Sequence, residues 1–472
     1  MKTVAFITLG CKVNQYETNA MIQQFIEKGY EIVEHTKKAD IYIVNTCTVT
    51  NMSDRKSRQM LRRVKELNKE AIVVACGCYA QVSKEELEKI EEINLVLGNN
   101  EKKDIVEHVE TYMHHQTLNE NKRDTFHIED QNKKMEEDVK ASQNKEVTAN
   151  AEKNKITINR VETQIEDVMN QKEFVEFGDI TFTEKTRAVI KIQDGCDRFC
   201  SYCIIPYARG RVRSRKPEHI LSEICKIAKE GIKEVVITGI HIASYGKDFE
   251  QEYRLIDLLE EMNTIEGIER IRLGSIEPLL ITEEFVSRLE TLSKVCHQFH
   301  LSLQSGCNET LKRMNRRYTT EEFKNITTLL RKTFEDAILT TDIIVGFPGE
   351  SEEEFEKTYA FLKEIKFYKM HVFKYSPRKG TKAAVMPNQI DGNKKEERSR
   401  RLIELSNKNE KVYNERYIGK EVEVLFEEEK NGIWQGHTKN YILAHYKTEK
   451  HMENKLIKLQ CIGAEMEYIT VN

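Results

Sequence analysis

Short β-branched segments alternate with helix-sized segments along most of this chain, and this alternation constrains its fold more than any other feature. Near the amino terminus, strands are predicted at 3–9, 40–46 and 71–76. Helices are predicted between them, at 17–28 and 52–67. Alternating strands and helices form parallel sheets whose faces the helices cover. Residues 1–114 are therefore predicted to form a parallel α/β domain.

Six further strand and helix pairs follow, and a helix-sized segment separates each strand from the next. These strands are predicted at 187–193, 234–238, 270–274, 299–304, 338–345 and 370–375. Six such units resemble an open version of the eight-unit barrel, so we expect residues 180–413 to form a partial (β/α)6 barrel. The short strands and turns of residues 417–472 predict a small antiparallel β-barrel.

Residues 115–172 differ in composition from the segments on either side. Only ten of these 58 residues are Leu, Ile, Val or Phe, a fraction of about 17% that is below the level of packed domains. Too little apolar surface is available to offset the entropy of ordering. We expect a flexible or marginally helical insertion here.

The charge of the whole chain limits how it can bind nucleic acid. Its 472 residues include 74 Lys and Arg against 78 Asp and Glu, a formal net charge of -4. Any contact with nucleic acid must therefore come from a local basic patch. No charge-free segment reaches the length of a membrane span, and the apolar run at 4–9 lacks the length of a signal peptide. A cytoplasmic protein without membrane contact is expected.

Cys196, Cys200 and Cys203 form a C-x3-C-x2-C triplet directly after the first predicted barrel strand. An odd total of eleven cysteines in a long chain favours metal ligands or buried thiols over a disulfide framework. Three thiolates can hold three irons of a [4Fe-4S] cube and leave the fourth iron open, as catalytic metal sites do. A zinc loop is the alternative, although zinc would need a fourth ligand nearby.

A second trio, Cys11, Cys47 and Cys78, is spread over the amino-terminal domain. Each cysteine follows the predicted carboxyl end of a parallel strand, and open α/β sheets bind ligands at that edge. The three loops can therefore converge, and a second cluster could lie there. Cys76 lies within a strand and is expected to be a buried apolar residue.

The triplet resembles the cluster motif of the radical S-adenosylmethionine (SAM) enzymes. With LGCKVNQYET, NTCTVTN, GCYAQ, DGCDRFCSYCIIPYARGRVRSR and YSPRKGTKAA, the chain resembles the methylthiotransferase family, and most closely its MtaB-type branch for threonylcarbamoyladenosine in tRNA. The resemblance implies an α/β fold with a Rossmann-like amino-terminal domain, a radical SAM partial barrel and a carboxyl-terminal TRAM barrel. It also implies that Cys11, Cys47 and Cys78 bind an auxiliary [4Fe-4S] cluster, and that the triplet binds the [4Fe-4S] cluster that cleaves SAM.

The function implied by this resemblance is transfer of a methylthio group to C2 of N6-threonylcarbamoyladenosine at position 37 of tRNA. One SAM would methylate a sulfur held at the auxiliary cluster, and a second would supply the radical that removes the C2 hydrogen. The implied partners are the tRNA anticodon loop and a low-potential electron donor such as flavodoxin or ferredoxin. No side-chain acid or base is required, so none is assigned.

Two kinds of alternative remain open at this point. The same chemistry could act on isopentenyladenosine of tRNA or on an aspartate of a ribosomal protein. A non-catalytic iron–sulfur protein that binds RNA or transfers electrons belongs to a different class.

Residues at the ends of the barrel strands are expected to face SAM and the substrate. They are Thr238, Gly239, Ser275, Glu277, Gln304, Asp342 and Gly346. Ordinary turns at strand ends are the alternative interpretation.

Five bases just beyond the triplet are expected to bind RNA phosphates. They are Arg209, Arg211, Arg213, Arg215 and Lys216. Segment 197–216 holds six bases and one acid, a net charge of +5. A solvated strand edge is the alternative. Residues 417–472 hold 7 Lys and 9 Glu, so RNA contact at that end is implied only by the family.

Overall fold

The computed structural model describes residues 1–118, 161–181 and 186–472. The amino-terminal domain is a parallel sheet with helices on both faces. Its strands are β1 (Thr3–Thr8), β2 (Glu31–Val33), β3 (Ile41–Thr46), β4 (Ile72–Gly77), β5 (Leu95–Leu97) and β6 (Glu162–Gln164). Its helices are α1 (Lys12–Glu27), α2 (Asn51–Leu67), α3 (Cys78–Val82), α4 (Lys84–Leu87) and α5 (residues 105–118).

The strand order of this sheet is β2-β1-β3-β4-β5-β6. The order reverses between β1 and β3, and such a switch point opens a crevice at the carboxyl ends of the strands. Every residue of β3 is buried, as expected for a central strand with both faces covered. The domain therefore presents one edge at which several loops meet.

The edge strand β6 lies inside the segment that composition predicted to be an insertion. Glu162 pairs with Leu95, and its N–H donates to the Asn94 carbonyl at 3.1 Å. Backbone hydrogen bonds to β5 therefore give residues 162–164 a strand that their composition did not predict. Of the other residues of the predicted insertion, 115–118 belong to α5, and 119–160 lie outside the described residues.

The second domain is the expected partial barrel. Its strands are β7 (Arg187–Asp194), β8 (Arg213–Ser214), β9 (Glu234–Gly239), β10 (Arg270–Leu273), β11 (Gln298–Gln304), β12 (Ile338–Val345) and β13 (Lys369–Lys374). Its helices are α6 (Ile205–Arg209), α7 (Pro217–Lys229), α8 (Leu255–Asn263), α9 (Glu283–Glu290), α10 (Asn308–Arg313), α11 (Thr320–Thr333), α12 (Glu352–Ile365) and α13 (Gly392–Glu415).

Six parallel strands, from β7 through β9 to β13, follow one another around this barrel, and β8 adds an antiparallel edge. Isolated bridges, one of them between Ile276 and Leu301, join the β10 and β11 sides. The helices begin where their sequences predict: Ser351 and Glu354 form a reciprocal capping box at the start of α12. Helix α4 is a single turn, and the side chain of Ser83 does not cap it.

The carboxyl-terminal domain is a closed five-stranded barrel. Its strands are β14 (Glu421–Lys430), β15 (Ile433–Thr438), β16 (Leu443–Lys447), β17 (Leu456–Ala464) and β18 (Ile469–Val471). The barrel was expected to be antiparallel, but β16 and β18 are parallel. An odd number of strands cannot close with antiparallel pairs alone, so one parallel pair is required.

This small barrel closes the base of the partial barrel, opposite the carboxyl ends of its strands. At the start of β10, Arg270 donates to the carbonyls of His437 and Glu423, both at 2.9 Å. Asn440 donates to the Asp336 carbonyl just before β12 at 3.0 Å. In the part of the chain that the structure covers, no helix combines the length and apolar character needed to cross a membrane.

Candidate active site

The first cysteine trio lies at the carboxyl edge of the amino-terminal sheet. Cys47 and Cys78 each follow directly on residues that pair across β3 and β4, so they leave the sheet side by side. Cys11 follows β1 on the other side of β3, and a Cβ on the adjacent Gly10 would lie 2.9 Å from the Cys47 Sγ. The fold therefore brings these three loops together.

Two residues that sequence analysis did not single out hold these loops in place. Asn14 Nδ2 donates to the Leu9 carbonyl at 2.7 Å and to the Thr46 carbonyl at 3.0 Å, which ties the Cys11 loop to the Cys47 loop. Gly77 has φ +98°, and a Cβ there would lie 2.5 Å from the Thr46 carbonyl oxygen. Only glycine therefore fits immediately before Cys78.

Arg209 connects this trio to the partial barrel. It ends α6, the short helix after the C-x3-C-x2-C triplet, and its Nε donates to the Cys78 Sγ at 3.2 Å. Its Nη1 donates to Glu17 on α1. Next to it, Asn99 Nδ2 donates to the Ala208 carbonyl at 2.7 Å. Helix α6, which follows the triplet loop, therefore contacts the amino-terminal domain directly at Cys78.

A group of buried charged side chains surrounds this contact, and none is more than 4% exposed. The group consists of Lys102, Lys191, Arg209, Arg213, Glu17 and Asp194. Although burial opposes ionisation, Arg209, Lys102 and Lys191 hold the pKa of Glu17 well below its usual range. Four cations against two carboxylates leave two positive charges in excess. Buried charge needs a partner, and a thiolate-ligated [4Fe-4S] cluster at Cys78 would supply an anionic one.

The second trio occupies the loop between β7 and α6. The Cys203 N–H donates to the Cys200 carbonyl at 3.0 Å, which forms a tight turn between these two thiols. Arg316 Nη1 donates to the Cys200 Sγ at 3.4 Å, and the backbone N–H of Arg198 donates to the Cys196 Sγ at 3.5 Å. N–H···S bonds of this kind stabilise thiolates that ligate iron and tune the cluster.

Neither trio forms a compact site for one metal ion. Across residues 1–118, 161–181 and 186–472, no three His, Cys, Asp or Glu side chains converge in that way. The donor atoms of both trios are cysteine sulfurs, which are the usual ligands of iron–sulfur clusters.

Burial opposes ionisation of some of these thiols. Burial raises the pKa of Cys47 and of Cys196 to about 11, and that of Cys203 to about 12. In both trios, neighbouring cysteines raise these values further. Binding of iron would displace the protons and neutralise the thiolate charge. The donor sets of both trios therefore fit [4Fe-4S] clusters.

Glu277 is bound to the triplet loop. It accepts hydrogen bonds from Arg198 and, at 3.1 Å, from His241, and Arg316 lies 4.0 Å away. Although burial opposes ionisation, His241, Arg198 and Arg316 hold the pKa of Glu277 below its usual value. Glu277 and Arg198 line a cavity of about 340 Å³ beside the triplet.

Ser275 and Asp342 line a larger cavity of about 670 Å³ inside the partial barrel. The cavity reaches Lys12, the residue after Cys11, and its far end is lined by residues of the small barrel, among them His437. Its walls are polar: His300 Nε2 lies 3.2 Å from Asp342 Oδ2. Ser275 and Asp342 were expected to face a cavity, but the strand pattern did not indicate residues such as His300 and His371, because inward polar residues on a strand also fit ordinary alternation.

The other predicted cofactor-binding residues line neither of these cavities. They are Thr238, Gly239, Gln304 and Gly346. A Cβ at Gly239 would lie 3.0 Å from the Gln193 carbonyl, and the Gly346 N–H donates to Glu350 at 2.6 Å. Close packing explains Gly239, and at Gly346 the positive φ of 69° favours glycine.

Three of the five bases predicted to bind RNA are buried. Arg209, Arg213 and Arg215 are at most 1% exposed, and Arg215 forms ion pairs with Glu223 and Glu176. Their assignment to RNA binding is wrong, because a buried guanidinium cannot reach a phosphate. Arg211 and Lys216, the other two predicted bases, are exposed.

Comparisons with known proteins agree with this division of the chain. Residues 3–98 match the Uncharacterized protein family UPF0004, and residues 190–362 match the Radical SAM superfamily. The solved structure of the radical S-adenosylmethionine methyltransferase TsrM from Kitasatospora setae, with cobalamin and a [4Fe-4S] cluster bound, has a TM-score of 0.54 at 15% identity. The match covers 81% of this chain and 77% of TsrM. At that identity the likeness concerns the fold.

Similar curated proteins match over nearly the whole length. Threonylcarbamoyladenosine tRNA methylthiotransferase MtaB of Bacillus subtilis (strain 168) is 39% identical, over 99% of this chain and 95% of the relative. MtaB of Aquifex aeolicus (strain VF5) is also 39% identical, over 93% and 95%. The tRNA-2-methylthio-N(6)-dimethylallyladenosine synthase of Caldicellulosiruptor saccharolyticus is 33% identical, over 99% and 92%.

Proposed function

Because this chain belongs to the MtaB-type family of tRNA methylthiotransferases, we propose that it methylthiolates C2 of N6-threonylcarbamoyladenosine at position 37, in the tRNA anticodon loop. As a radical SAM enzyme it uses SAM and iron–sulfur chemistry. We propose two [4Fe-4S] clusters, one at Cys196, Cys200 and Cys203 and an auxiliary one at Cys11, Cys47 and Cys78. When bound, the first supplies the electron that cleaves SAM, and the second holds the sulfur that is transferred.

The observation that carries the proposal is the contact between Cys78 of one trio and Arg209, at the end of the helix that follows the other trio. Transfer of a methylthio group to an unactivated carbon needs a radical source and a sulfur source close to the same atom. Arg209 lies at the end of α6, the helix that follows the C-x3-C-x2-C triplet. Its hydrogen bond to Cys78, the first residue of α3, joins this helix to the auxiliary trio. Arg209 and Arg316 would each orient one cluster through a cysteine sulfur.

The barrel cavity supports the choice of nucleoside. The threonylcarbamoyl group carries a carboxylate, a hydroxyl and urea N–H groups, whereas the dimethylallyl group is apolar. His371 lines the cavity and makes no hydrogen bond or ion pair with another described residue, so it is available to a carboxylate. Asp342 can accept a hydrogen bond from the hydroxyl or the urea. Phe373, which is 46% exposed, offers a face for stacking against the base.

The proposed chemistry also implies the partners. Reductive cleavage of SAM requires a low-potential electron, and we propose that flavodoxin or ferredoxin supplies it. The tRNA substrate implies that the enzyme works in the cytoplasm.

Nucleoside analysis of tRNA tests the proposal. A bacterial strain without its own enzyme would be complemented with the wild-type chain or with Cys200→Ala, and its tRNA digested for mass spectrometry. We expect methylthio-threonylcarbamoyladenosine with the wild type and none with Cys200→Ala. Methylthiolated isopentenyladenosine in its place would overturn the proposed substrate. A wild-type protein that forms no 5′-deoxyadenosine from SAM would overturn the enzymatic function itself.

A further inference from the structure

An exposed stripe on α2 carries basic side chains next to the candidate active site. Positions 52, 55, 56, 59, 62 and 63 are all exposed, and their spacing of three, four and seven residues puts them on one face of the helix. The opposite face, with Leu61 and Val64, is buried against the sheet. The basic members of the stripe, here called the α2 basic face, are Arg55, Lys56, Arg62 and Arg63.

These four side chains have no hydrogen bond or ion pair with any other residue that the structure describes. The two remaining bases of α2 are used within the protein: Arg58 donates to the Tyr79 hydroxyl and Lys65 to the Ala71 carbonyl. The helix holds six bases and two acids, a net charge of +4. Charge that the protein does not compensate attracts a polyanion.

The two acids of α2 do not cancel this charge. Asp54 is buried and forms an ion pair with Arg378 at 2.6 Å. Glu66 is exposed in the last turn of the helix. The charged members of the stripe between residues 52 and 63 are therefore all basic.

The α2 basic face begins at the candidate active site. The Asn51 N–H donates to Ser376 Oγ at 3.2 Å, and Ser376 follows the strand whose Phe373 lines the barrel cavity. At this end of α2, Val49 and Met52 are 54% and 68% exposed. From residue 52 to residue 63 the stripe extends roughly 17 Å along the helix axis.

We propose that the α2 basic face binds the phosphate backbone of the RNA whose target nucleoside enters the barrel cavity. This inference rests on the proposed tRNA substrate. The exposed Val49 and Met52 would contact bases next to the target, since RNA loops present unstacked bases to protein. The α2 basic face supplies the local cationic patch that the buried Arg209, Arg213 and Arg215 do not provide.

An acidic electron-donor protein is the other polyanion that such a surface could attract. It would have to deliver its electron to the cluster at the triplet, which lies in the loop after β7. Helix α2 instead follows Cys47, in the loop of the auxiliary trio. The position of the stripe therefore favours RNA.

The test measures tRNA binding by the reconstituted full-length enzyme over a range of salt concentrations. The variant is Arg62→Gln with Arg63→Gln, two exposed residues far from the Cys47 loop. The matched control is Lys28→Gln with Lys38→Gln, an equal change of charge on exposed residues at the amino edge of the same sheet. We expect the α2 variant to bind tRNA about 10-fold more weakly, with a log–log salt slope shallower by about 1.4. The control should stay within about 2-fold of wild type.

A second measurement distinguishes tRNA from an acidic electron donor as the ligand of the α2 basic face. Turnover is compared with dithionite and with flavodoxin as reductant. If the α2 variant bound tRNA normally and lost activity only with flavodoxin, the surface would belong to the electron donor and the proposal would be wrong. If the wild type bound tRNA and neither variant changed that binding, the proposal would also be wrong. A wild type that does not bind tRNA at all would overturn the proposed function itself.

Discussion

Arg209 Nε donates a hydrogen bond to Cys78 Sγ at 3.2 Å, across the interface between the amino-terminal domain and the partial barrel. The same guanidinium donates to Glu17 and, at 2.7 Å, to Asn14, so its orientation is fixed by α1. Arg209 also ends the helix that follows the C-x3-C-x2-C triplet. One buried side chain therefore couples the position of the two cysteine trios.

We predict that Arg209→Gln lowers the reduction potential of the cluster proposed at Cys78. Removing a positive charge and an N–H···S bond makes an anionic cluster harder to reduce. A redox titration followed by electron paramagnetic resonance measures the potential. The free energy of unfolding should also fall by about 1.5–3 kcal/mol, the range for a lost charge-assisted hydrogen bond. Arg211→Gln is the matched control, because Arg211 is exposed and two residues away. Equal potentials in Arg209→Gln and wild type would refute this role.

Arg378 is predicted to keep the loop of Cys47 closed. Its guanidinium donates to Thr48 Oγ1 at 2.5 Å and to Asn51 Oδ1 at 2.7 Å, and it pairs with the buried Asp54. Arg378→Gln leaves Asp54 without its nearest cation and loosens the loop. We expect iron to be lost to a chelator several-fold faster than from wild type, with half of the iron retained. Lys379→Gln, at the exposed neighbouring position, should lose iron at the wild-type rate. Equal rates of iron loss in the two variants would contradict the proposed role of Arg378 in holding the Cys47 loop.

The pH dependence of KM is predicted to report on His371. Burial, with His300 and Lys369, lowers the pKa of His371, and Asp342 opposes this shift. A substrate carboxylate favours the protonated imidazole, so binding is strongest below the pKa and weakens as pH rises through it. KM for tRNA with threonylcarbamoyladenosine should therefore rise with pH, while kcat changes little. His371→Asn should raise KM about 10-fold at low pH, which is about 1.4 kcal/mol, and should flatten the profile. A variant with the wild-type profile would exclude His371 from carboxylate binding.

Most of the longer strands could be predicted from sequence because each is a short apolar run bounded by turns, whereas the two- and three-residue strands β2, β5 and β8 were not predicted. Residues 338–345 were predicted as a strand and form β12 with the same limits. The strand β6 could not be predicted, since its three residues are ordered by pairing with β5 rather than by their own side chains.

The chemistry of the cysteines was predictable from spacing, but their surroundings were not. From sequence, Arg209 and Arg215 were predicted to lie in a surface patch. In the structure they form buried ion pairs with Glu17 and Glu223, which lie on other elements. Such long-range partners leave no local pattern in the sequence. The basic residues of α2 were overlooked for the same reason: only the structure shows which bases of that helix remain without partners.

Counting iron after anaerobic reconstitution tests the central claim, that this chain holds two [4Fe-4S] clusters on two facing cysteine trios. We expect about eight irons per wild-type chain. Cys47→Ala should retain about four and still form 5′-deoxyadenosine from SAM, whereas Cys200→Ala should retain about four and form none. About four irons in the wild type, left unchanged by Cys47→Ala, would contradict the account.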